Sequence, residues 1–212
     1  MNKSIVRNGL ILALFAMLCT GLVAFVDKFT ADKIQAQKQA QRLKILTDII
    51  PNDIHDNNLV QSCRLIYAPN ELNTDTPVAA FIATKEQHAT AIAMETYAPD
   101  GYNGKIKLIL SVTKAGEILG VRTLEHNETP GLGDKIELSK SDWVHEFNGK
   151  TLSKPSARKW KVKKDGGDFD QFTGATITPR AYVKAVHKAL TYINSHFADI
   201  QRQTRSCEEQ NG

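Results

Sequence analysis

The sequence predicts an α+β protein, in which an N-terminal transmembrane helix is followed by a single domain with an antiparallel sheet and flanking helices. Three observations predict this fold: an uncharged apolar run near the N-terminus, a series of short alternating strands, and an amphipathic segment near the C-terminus. The chain has 212 residues, which suits one domain and an anchor. Its net charge of +4 is spread along the chain without a nucleic-acid motif, so nucleic-acid binding is not expected.

The apolar run covers residues 9–26 and contains no charged residue. About eighteen residues are near the lower limit for a helix that spans a bilayer. Lys3 and Arg7 precede the run, which predicts a cytoplasmic N-terminus and places the remaining chain outside. A cleaved signal peptide is the alternative, but the run is long for one and lacks a small-residue cleavage site. Cys19 follows Leu18 rather than a small residue, so we interpret it as an apolar residue of the span and not as a lipid attachment site.

Residues 27–51 are rich in helix-forming residues and end at Pro51. They carry a partial apolar stripe made of Ile34, Leu43, Leu46, Ile49 and Ile50. This predicted stalk either packs on partner membrane proteins or is a solvated helix that only joins the anchor to the domain. Both interpretations remain open from the sequence.

The domain that follows reads as a meander of strands separated by turn residues. In the third strand, alternate residues from Ile106 to Val112 share one face, and Lys107, Ile109 and Ser111 share the other. No dinucleotide-binding glycine motif follows a strand, which argues against a Rossmann fold. The predicted strands are residues 77–84, 89–97, 106–112 and 118–124.

Two helices are predicted after the meander. A short one follows Ser139, which resembles a helix cap with Asp142. A second one begins at Thr178, with Thr178 as its cap and Pro179 in its first turn. The residues predicted on its buried face are Val183, Val186, Leu190, Ile193 and Phe197.

Cysteine and histidine spacing predicts no metal site, because no C-x-x-C or H-x-x-x-H pattern occurs. Cys63 and Cys207 lie in the part predicted to be outside, where disulfides persist. They form either a bridge or two free thiols.

The most informative stretch is residues 165–180, DGGDFDQFTGATITPR. It is a glycine-containing loop that leads into a helix N-terminus, where free N–H groups and the helix dipole favour a phosphate. Gly174 allows close approach of a ligand, and Thr173, Thr176 and Thr178 offer hydroxyl groups. Taken alone, the stretch is equally typical of an ordinary capped helix.

Residues 170–176, DQFTGAT, resemble the flavinylation motif D-x-x-[ST]-G-A-[ST] at every specified position. The resemblance implies that a flavin transferase joins FMN covalently, through its phosphate, to Thr176. It further implies that Thr173, Gly174 and Ala175 shape the loop and that Asp170 completes the element that the transferase recognises.

Residues 126–133, HNETPGLG, form a second loop, which Pro130 and two glycines make tight. The loop is either a plain turn or a cofactor contact. With the resemblance, we expect its backbone at Gly131 and Leu132 to lie against the flavin, and Glu128 and Thr129 to bond polar edges of the flavin. His126 either tunes flavin protonation or lies on the surface.

A basic run surrounds Trp160 between the two loops. It either contacts the FMN phosphate, docks an acidic partner or is a solvated face. Trp160 itself either stacks on the flavin or is buried in the core. The basic residues are Arg158, Lys159, Lys161, Lys163 and Lys164.

With its anchor, meander and two loops in this order, the chain resembles the family of G subunits of the bacterial Rnf/Rsx electron-transport complex. The resemblance covers most of the chain and is weakest over residues 52–75 and at the C-terminus. It implies an ion-translocating oxidoreductase (a translocase) of six subunits in the bacterial inner membrane, in which this chain relays electrons through covalent FMN on the periplasmic side. No catalytic residue is then expected in this chain, and no independent turnover.

The resulting predicted organisation is a cytoplasmic N-terminus (1–8), a transmembrane helix (9–26), a helical stalk (27–51), a periplasmic FMN-binding domain (52–200) and a flexible tail (201–212). Three alternatives remain open: a free-standing extracytoplasmic FMN-dependent reductase, a component like the C subunit of the sodium-translocating NADH:quinone reductase, and a scaffold without a redox role.

Overall fold

Helix α1 covers Asn2–Ile49 in the structure, a computed structural model that describes residues 2–153 and 156–207. Its segment Lys3–Ala31 contains an 18-residue window with a mean hydropathy of 2.5 and is long and apolar enough to cross a membrane. The free Cys19 is exposed on this segment. The chain divides after Arg42 into two compact units, so the anchor and the domain are described separately.

The predicted antiparallel meander is confirmed, with one additional strand. Neighbouring strands pair antiparallel in the order β1-β2-β3-β4-β5. The strand β1 was not predicted, because four residues are too few to show an alternating pattern. The strands are β1 Cys63–Ile66, β2 Val78–Lys85, β3 His88–Ala98, β4 Ile106–Thr113 and β5 Ile118–Glu125, and a helical turn, α2 Pro69–Leu72, follows β1.

Helix α3, Ile177–Arg202, packs on one face of the sheet. The predicted buried face of this helix is confirmed from Val183 to Ile193, whereas Phe197 is only partly buried. The predicted start is wrong, since the N-cap is Thr176 rather than Thr178. Thr178 is 1% exposed and uses its hydroxyl group elsewhere, as described below.

The opposite face of the sheet is covered by the end of α1. The hydroxyl group of Ser111 on β4 donates a hydrogen bond to the carbonyl of Ile49. Gly120 on β5 is tightly packed, because a Cβ there would lie 3.0 Å from Ile49 Cγ2, closer than an ordinary contact. The last turn of the predicted stalk is therefore part of the domain core, whereas the side chain of Ile34 lies outside the described part of the chain. The buried residues of this turn are Leu46, Ile49 and Ile50.

The segment 203–207 lies against the sheet edge. The backbone N–H of Leu65 on β1 donates a hydrogen bond to the carbonyl of Arg205, at 2.9 Å. A disulfide joins Cys63 to Cys207, with their Cα atoms 5.6 Å apart. The predicted flexible tail therefore does not begin at residue 201, because edge pairing and the disulfide hold the chain as far as Cys207. Residues 208–212 lie outside the described residues.

Short 3-10 helices occupy the connections. The helix predicted after Ser139 is the 3-10 helix Asp142–Phe147. Its N-cap is Ser141, whose side chain accepts a hydrogen bond from the Trp143 N–H at 3.2 Å. The other 3-10 helices are Asn52–Ile54, Gly133–Ile136, Ala157–Lys159 and Lys163–Asp165.

Candidate functional site

Two loops identified from the sequence meet at the start of α3. We call residues 126–133 the upper loop and residues 165–176 the acceptor loop. A Cβ atom placed on Gly174 would lie 3.4 Å from Leu132 Cδ2, and one placed on Gly133 would lie 3.0 Å from the Thr178 hydroxyl oxygen. The tertiary structure therefore brings Gly174 of the acceptor loop against Leu132 of the upper loop, and Gly133 against Thr178 on the first turn of α3.

Glu128 connects the upper loop to the first turn of α3 and to the β3–β4 turn. Its side chain accepts hydrogen bonds from the Asn103 N–H at 3.1 Å and from the Thr178 hydroxyl group. Glu128 is 4% exposed, so its carboxylate needs these partners to offset the cost of burial. Glu128 thus has a structural role that the sequence did not indicate, and direct contact with a flavin stays a prediction.

Thr129 closes the upper loop. Its carbonyl accepts hydrogen bonds from the backbone N–H groups of Leu132 and Gly133, at 3.2 and 3.0 Å. Its hydroxyl oxygen accepts one from the Asn103 amide at 3.3 Å. Gly131 has φ +77, a left-handed conformation that favours glycine. The tight turn of this loop therefore explains the glycine at position 131.

His126 is held by the same loop. Its Nδ1 accepts a hydrogen bond from the Glu128 N–H at 3.0 Å, so its Nε2 carries the proton that is donated to Glu137 at 2.7 Å. This bond lowers the pKa of the Glu137 carboxyl group. A role in tuning flavin protonation stays a prediction.

Thr176 is the N-cap of the 26-residue helix α3, and its side chain makes no capping hydrogen bond. It is partly exposed, between the exposed Gly174 and Ile177. Because the first N–H groups of a helix lack intrahelical partners and the dipole is positive there, this position suits a phosphate.

Exposed apolar side chains occur near the start of α3. Leu132 is 42% exposed and lies against Gly174, and Ile177, which follows Thr176 in the chain, is 47% exposed. A hydroxyl group at a helix N-terminus in a region with exposed aliphatic side chains fits a ligand with an anionic end and a flat apolar ring. The residues present therefore fit FMN.

The acceptor loop is held at Asp170, the first residue of the motif. The Asp170 N–H donates to Glu146 Oε2 at 2.9 Å, and Trp143 Nε1 donates to the Asp170 carbonyl, also at 2.9 Å. Phe172 packs edge-on against Trp143, with ring centroids 5.0 Å apart. An open cleft of about 540 Å³ adjoins these residues. Burial raises the pKa of the Glu146 carboxyl group.

The basic run is partly neutralised by neighbouring carboxylates. Lys159 pairs with Asp168 at 3.6 Å, and Lys163 pairs with Asp170. Trp160 is 5% exposed and packs between the rings of Phe147, Phe169 and His187. Of the two interpretations of Trp160, burial in the core is the one observed.

Sequence reasoning did not identify Asn103, Trp143, Glu146 or the hydrogen bond of Thr178. Each contacts a residue far along the chain. Glu146 and Trp143 lie 24 and 27 residues from Asp170, and Thr178 lies 50 residues from Glu128. No local periodicity signals such contacts.

The anchor, the sheet and the two loops define a membrane-anchored flavin-binding domain. The sequence matches the RnfG N-terminal region over residues 1–49 and the FMN-binding domain over residues 101–191. The chain belongs to the family of G subunits of the ion-translocating oxidoreductase complex, and it is a single-pass inner-membrane protein.

Relatives that carry this name are similar over their whole length. The protein from Shewanella oneidensis is 57% identical over 98% of both chains, and that from Shewanella piezotolerans is 56% identical over 100% of both. A protein from Vibrio cholerae is 52% identical over 99% of this chain and 100% of its own. The crystal structure of the C subunit of the Na⁺-translocating NADH-quinone reductase from Parabacteroides distasonis shares the fold, with a TM-score of 0.51 and 19% identity over 81% of this chain and 96% of that one.

Proposed function

We propose that this protein is an electron carrier within an ion-translocating oxidoreductase complex and holds FMN covalently through Thr176. The observation that carries the proposal is the partly exposed Thr176 at the start of α3, which makes no capping hydrogen bond. The exposed Ile177 follows it, and the exposed Leu132 lies against Gly174, two residues before it. The resemblance of residues 170–176 to the flavinylation motif supports the same residue.

The residue types suit the attachment chemistry. The Thr176 oxygen would attack the flavin-side phosphorus of FAD, the bond between the two phosphates would break, AMP would leave, and the hydroxyl proton would pass to solvent. The remaining phosphodiester carries one negative charge, which the N-terminus of α3 would stabilise by about 0.3–1 kcal/mol. When bound, the flavin supplies the ability to accept and release electrons.

The rest of the site would hold and orient this group. Leu132 and Ile177 would shield one part of the ring system from water. Glu128 would act indirectly, because its hydrogen bonds to Asn103 and Thr178 hold the upper loop against the first turn of α3, which directly follows Thr176. A covalent tether would also prevent loss of the cofactor outside the cytoplasm.

The proposed topology places the N-terminus in the cytoplasm and the domain in the periplasm. Lys3 and Arg7 precede the span without an acidic residue, which favours a cytoplasmic N-terminus. The disulfide between Cys63 and Cys207 suits an oxidising compartment. The proposed partners are the other members of a complex of six subunits and, during maturation, a flavin transferase.

The test uses the full chain co-expressed with a flavin transferase. We expect flavin fluorescence on a denaturing gel and a mass gain of FMN less one water, both retained in Thr176→Ser and absent in Thr176→Ala. Thr191→Ala is the matched control, because Thr191 is an exposed threonine on the same helix. Attachment that persists in Thr176→Ala would disprove the site, and an unmodified wild-type chain would disprove the covalent cofactor.

A free-standing reductase is distinguished by its activity in isolation. If the purified flavinylated chain alone reduced small acceptors at rates typical of enzymes, the carrier proposal would fail. We expect slow electron exchange only, because a carrier needs no substrate pocket.

A further inference from the structure

The acceptor loop is shaped by a segment outside the linear motif. The 3-10 helix Asp142–Phe147 contacts the loop at three successive places. Phe147 stacks on Phe169 with ring centroids 4.7 Å apart, and Trp143 packs against Phe172. Between these two aromatic contacts lies Asp170, the first residue of the motif.

Both backbone groups of Asp170 are used in this contact. Glu146 accepts from its N–H and Trp143 Nε1 donates to its carbonyl, each at 2.9 Å. These two bonds fix the peptide planes on either side of the Asp170 Cα atom. The direction of the side chain from that Cα atom is then fixed as well, and it points to Lys163.

Three residues further on, the chain makes the turn that presents the acceptor. The Ala175 N–H donates to the Phe172 carbonyl at 3.1 Å, and Gly174 has φ +81. Because Phe172 is held by Trp143, the turn starts from a fixed point and ends at Thr176. The motif is therefore presented in one conformation that residues 24 to 27 positions away maintain.

From this geometry we infer that Trp143 and Glu146 are positioning residues for flavin attachment. A transferase that must align the Thr176 hydroxyl group with a phosphorus atom gains from a loop that is already ordered. Losing either bond to Asp170 would let the loop sample other conformations, of which only a fraction can be modified. The inference rests on the proposed function, since it assumes that Thr176 is flavinylated.

Disorder of the loop should weaken the apparent affinity of the transferase for this chain. When only a fraction of the chains has the competent conformation, the apparent dissociation constant rises by the inverse of that fraction. Loss of one hydrogen bond of ordinary strength corresponds to a roughly 2- to 10-fold change. We therefore expect a roughly 2- to 10-fold rise in the KM of the transferase for this chain, with kcat unchanged because Thr176 and the enzyme are unaltered.

The experiment measures flavinylation of the detergent-solubilised full chain by purified transferase with FAD, as a function of chain concentration. Glu146→Leu removes the acceptor, and Trp143→Phe removes the N–H donor but keeps an aromatic ring against Phe172. Glu146→Gln keeps a carbonyl oxygen and should restore a KM close to that of the wild type. Glu117→Leu is the matched control, since Glu117 is exposed and lies at the β4–β5 turn, outside the site.

The outcomes separate the two proposals. An unmodified wild-type chain disproves the proposed function. A modified wild type with unchanged KM values for Glu146→Leu and Trp143→Phe overturns the inference, as does a loss that Glu146→Gln fails to restore or that appears in kcat alone. Thermal melts identify a variant that has not folded, in which case Trp143→Phe decides the question, because it keeps the aromatic packing.

Discussion

Removal of the hydrogen bond between Thr178, on the first turn of α3, and Glu128, in the upper loop, should destabilise the domain. Both residues are almost fully buried, at 1% and 4% exposed. Thr178→Val keeps the shape of the side chain but replaces the hydroxyl donor with a methyl group. One carboxylate oxygen of Glu128 then loses its partner, while the other still accepts from the Asn103 N–H.

The expected cost follows from the chemistry of the acceptor. A hydrogen bond to a charged group contributes about 1.5–3 kcal/mol, and a buried acceptor left without a partner adds its desolvation penalty to the loss. For a protein of this size, a loss of about 1 kcal/mol lowers the melting temperature by about 2–4 °C. We therefore expect Thr178→Val to lower it by roughly 3–12 °C.

The assay is thermal unfolding of the detergent-solubilised full chain, followed by circular dichroism. Thr178→Ser keeps the hydroxyl group and loses only a buried methyl, worth about 0.8 kcal/mol, so it should melt between the wild type and Thr178→Val. Thr191→Val, an exposed position on the same helix, should change the stability by less than about 0.5 kcal/mol. A Thr178→Val variant that melts within about 1 °C of the wild type would refute the reasoning.

Two further perturbations test other parts of the domain. Replacing Cys63 and Cys207 by serine opens a loop of 144 residues and should lower the free energy of unfolding by roughly 2–5 kcal/mol. Adding a reductant should lower the melting temperature of the wild type but not that of the double variant. Equal responses of the two proteins would contradict the prediction. Glu137→Gln should reduce stability at neutral pH, because its imidazole partner holds the pKa of Glu137 below 4.5. A carboxyl group whose pKa is lower in the folded than in the unfolded protein stabilises the fold at pH values above its unfolded pKa, and this stabilisation is lost as the pH falls through its folded pKa. The melting temperatures of the wild type and the variant should therefore converge from neutral to acid pH. A difference that stays constant would contradict the prediction.

Thr176 and the elements around it show how far local patterns reach. The motif at residues 170–176 predicts Thr176 as the attachment residue from consecutive residues, and the alternating pattern from Ile106 to Val112 identifies β4 and its apolar face. The cap of α3 was placed too late, because both Thr176 and Thr178 are suitable caps by type. Residue-type preferences do not distinguish the two threonines. The structure does, because the Thr178 hydroxyl group bonds Glu128 and Thr176 occupies the N-cap position.

Contacts between distant residues were outside the reach of such patterns. The pairing of β1 with Arg205, the packing of Ile49 against Gly120 and the hydrogen bonds of Asp170 to Trp143 and Glu146 each join parts of the chain that share no local periodicity.

By itself, the sequence determined the anchor, four strands of the sheet, the amphipathic helix and the family to which the chain belongs. Each of these depends on residues that lie close together along the chain, where hydropathy, periodicity and motif spacing are directly visible. The tertiary structure alone decided that a buried carboxylate joins the upper loop to the first turn of α3, and that a separate 3-10 helix fixes the motif. The physical reason is that a buried polar group must find a partner wherever the fold provides one, and the position of that partner is set by the packing of the whole domain.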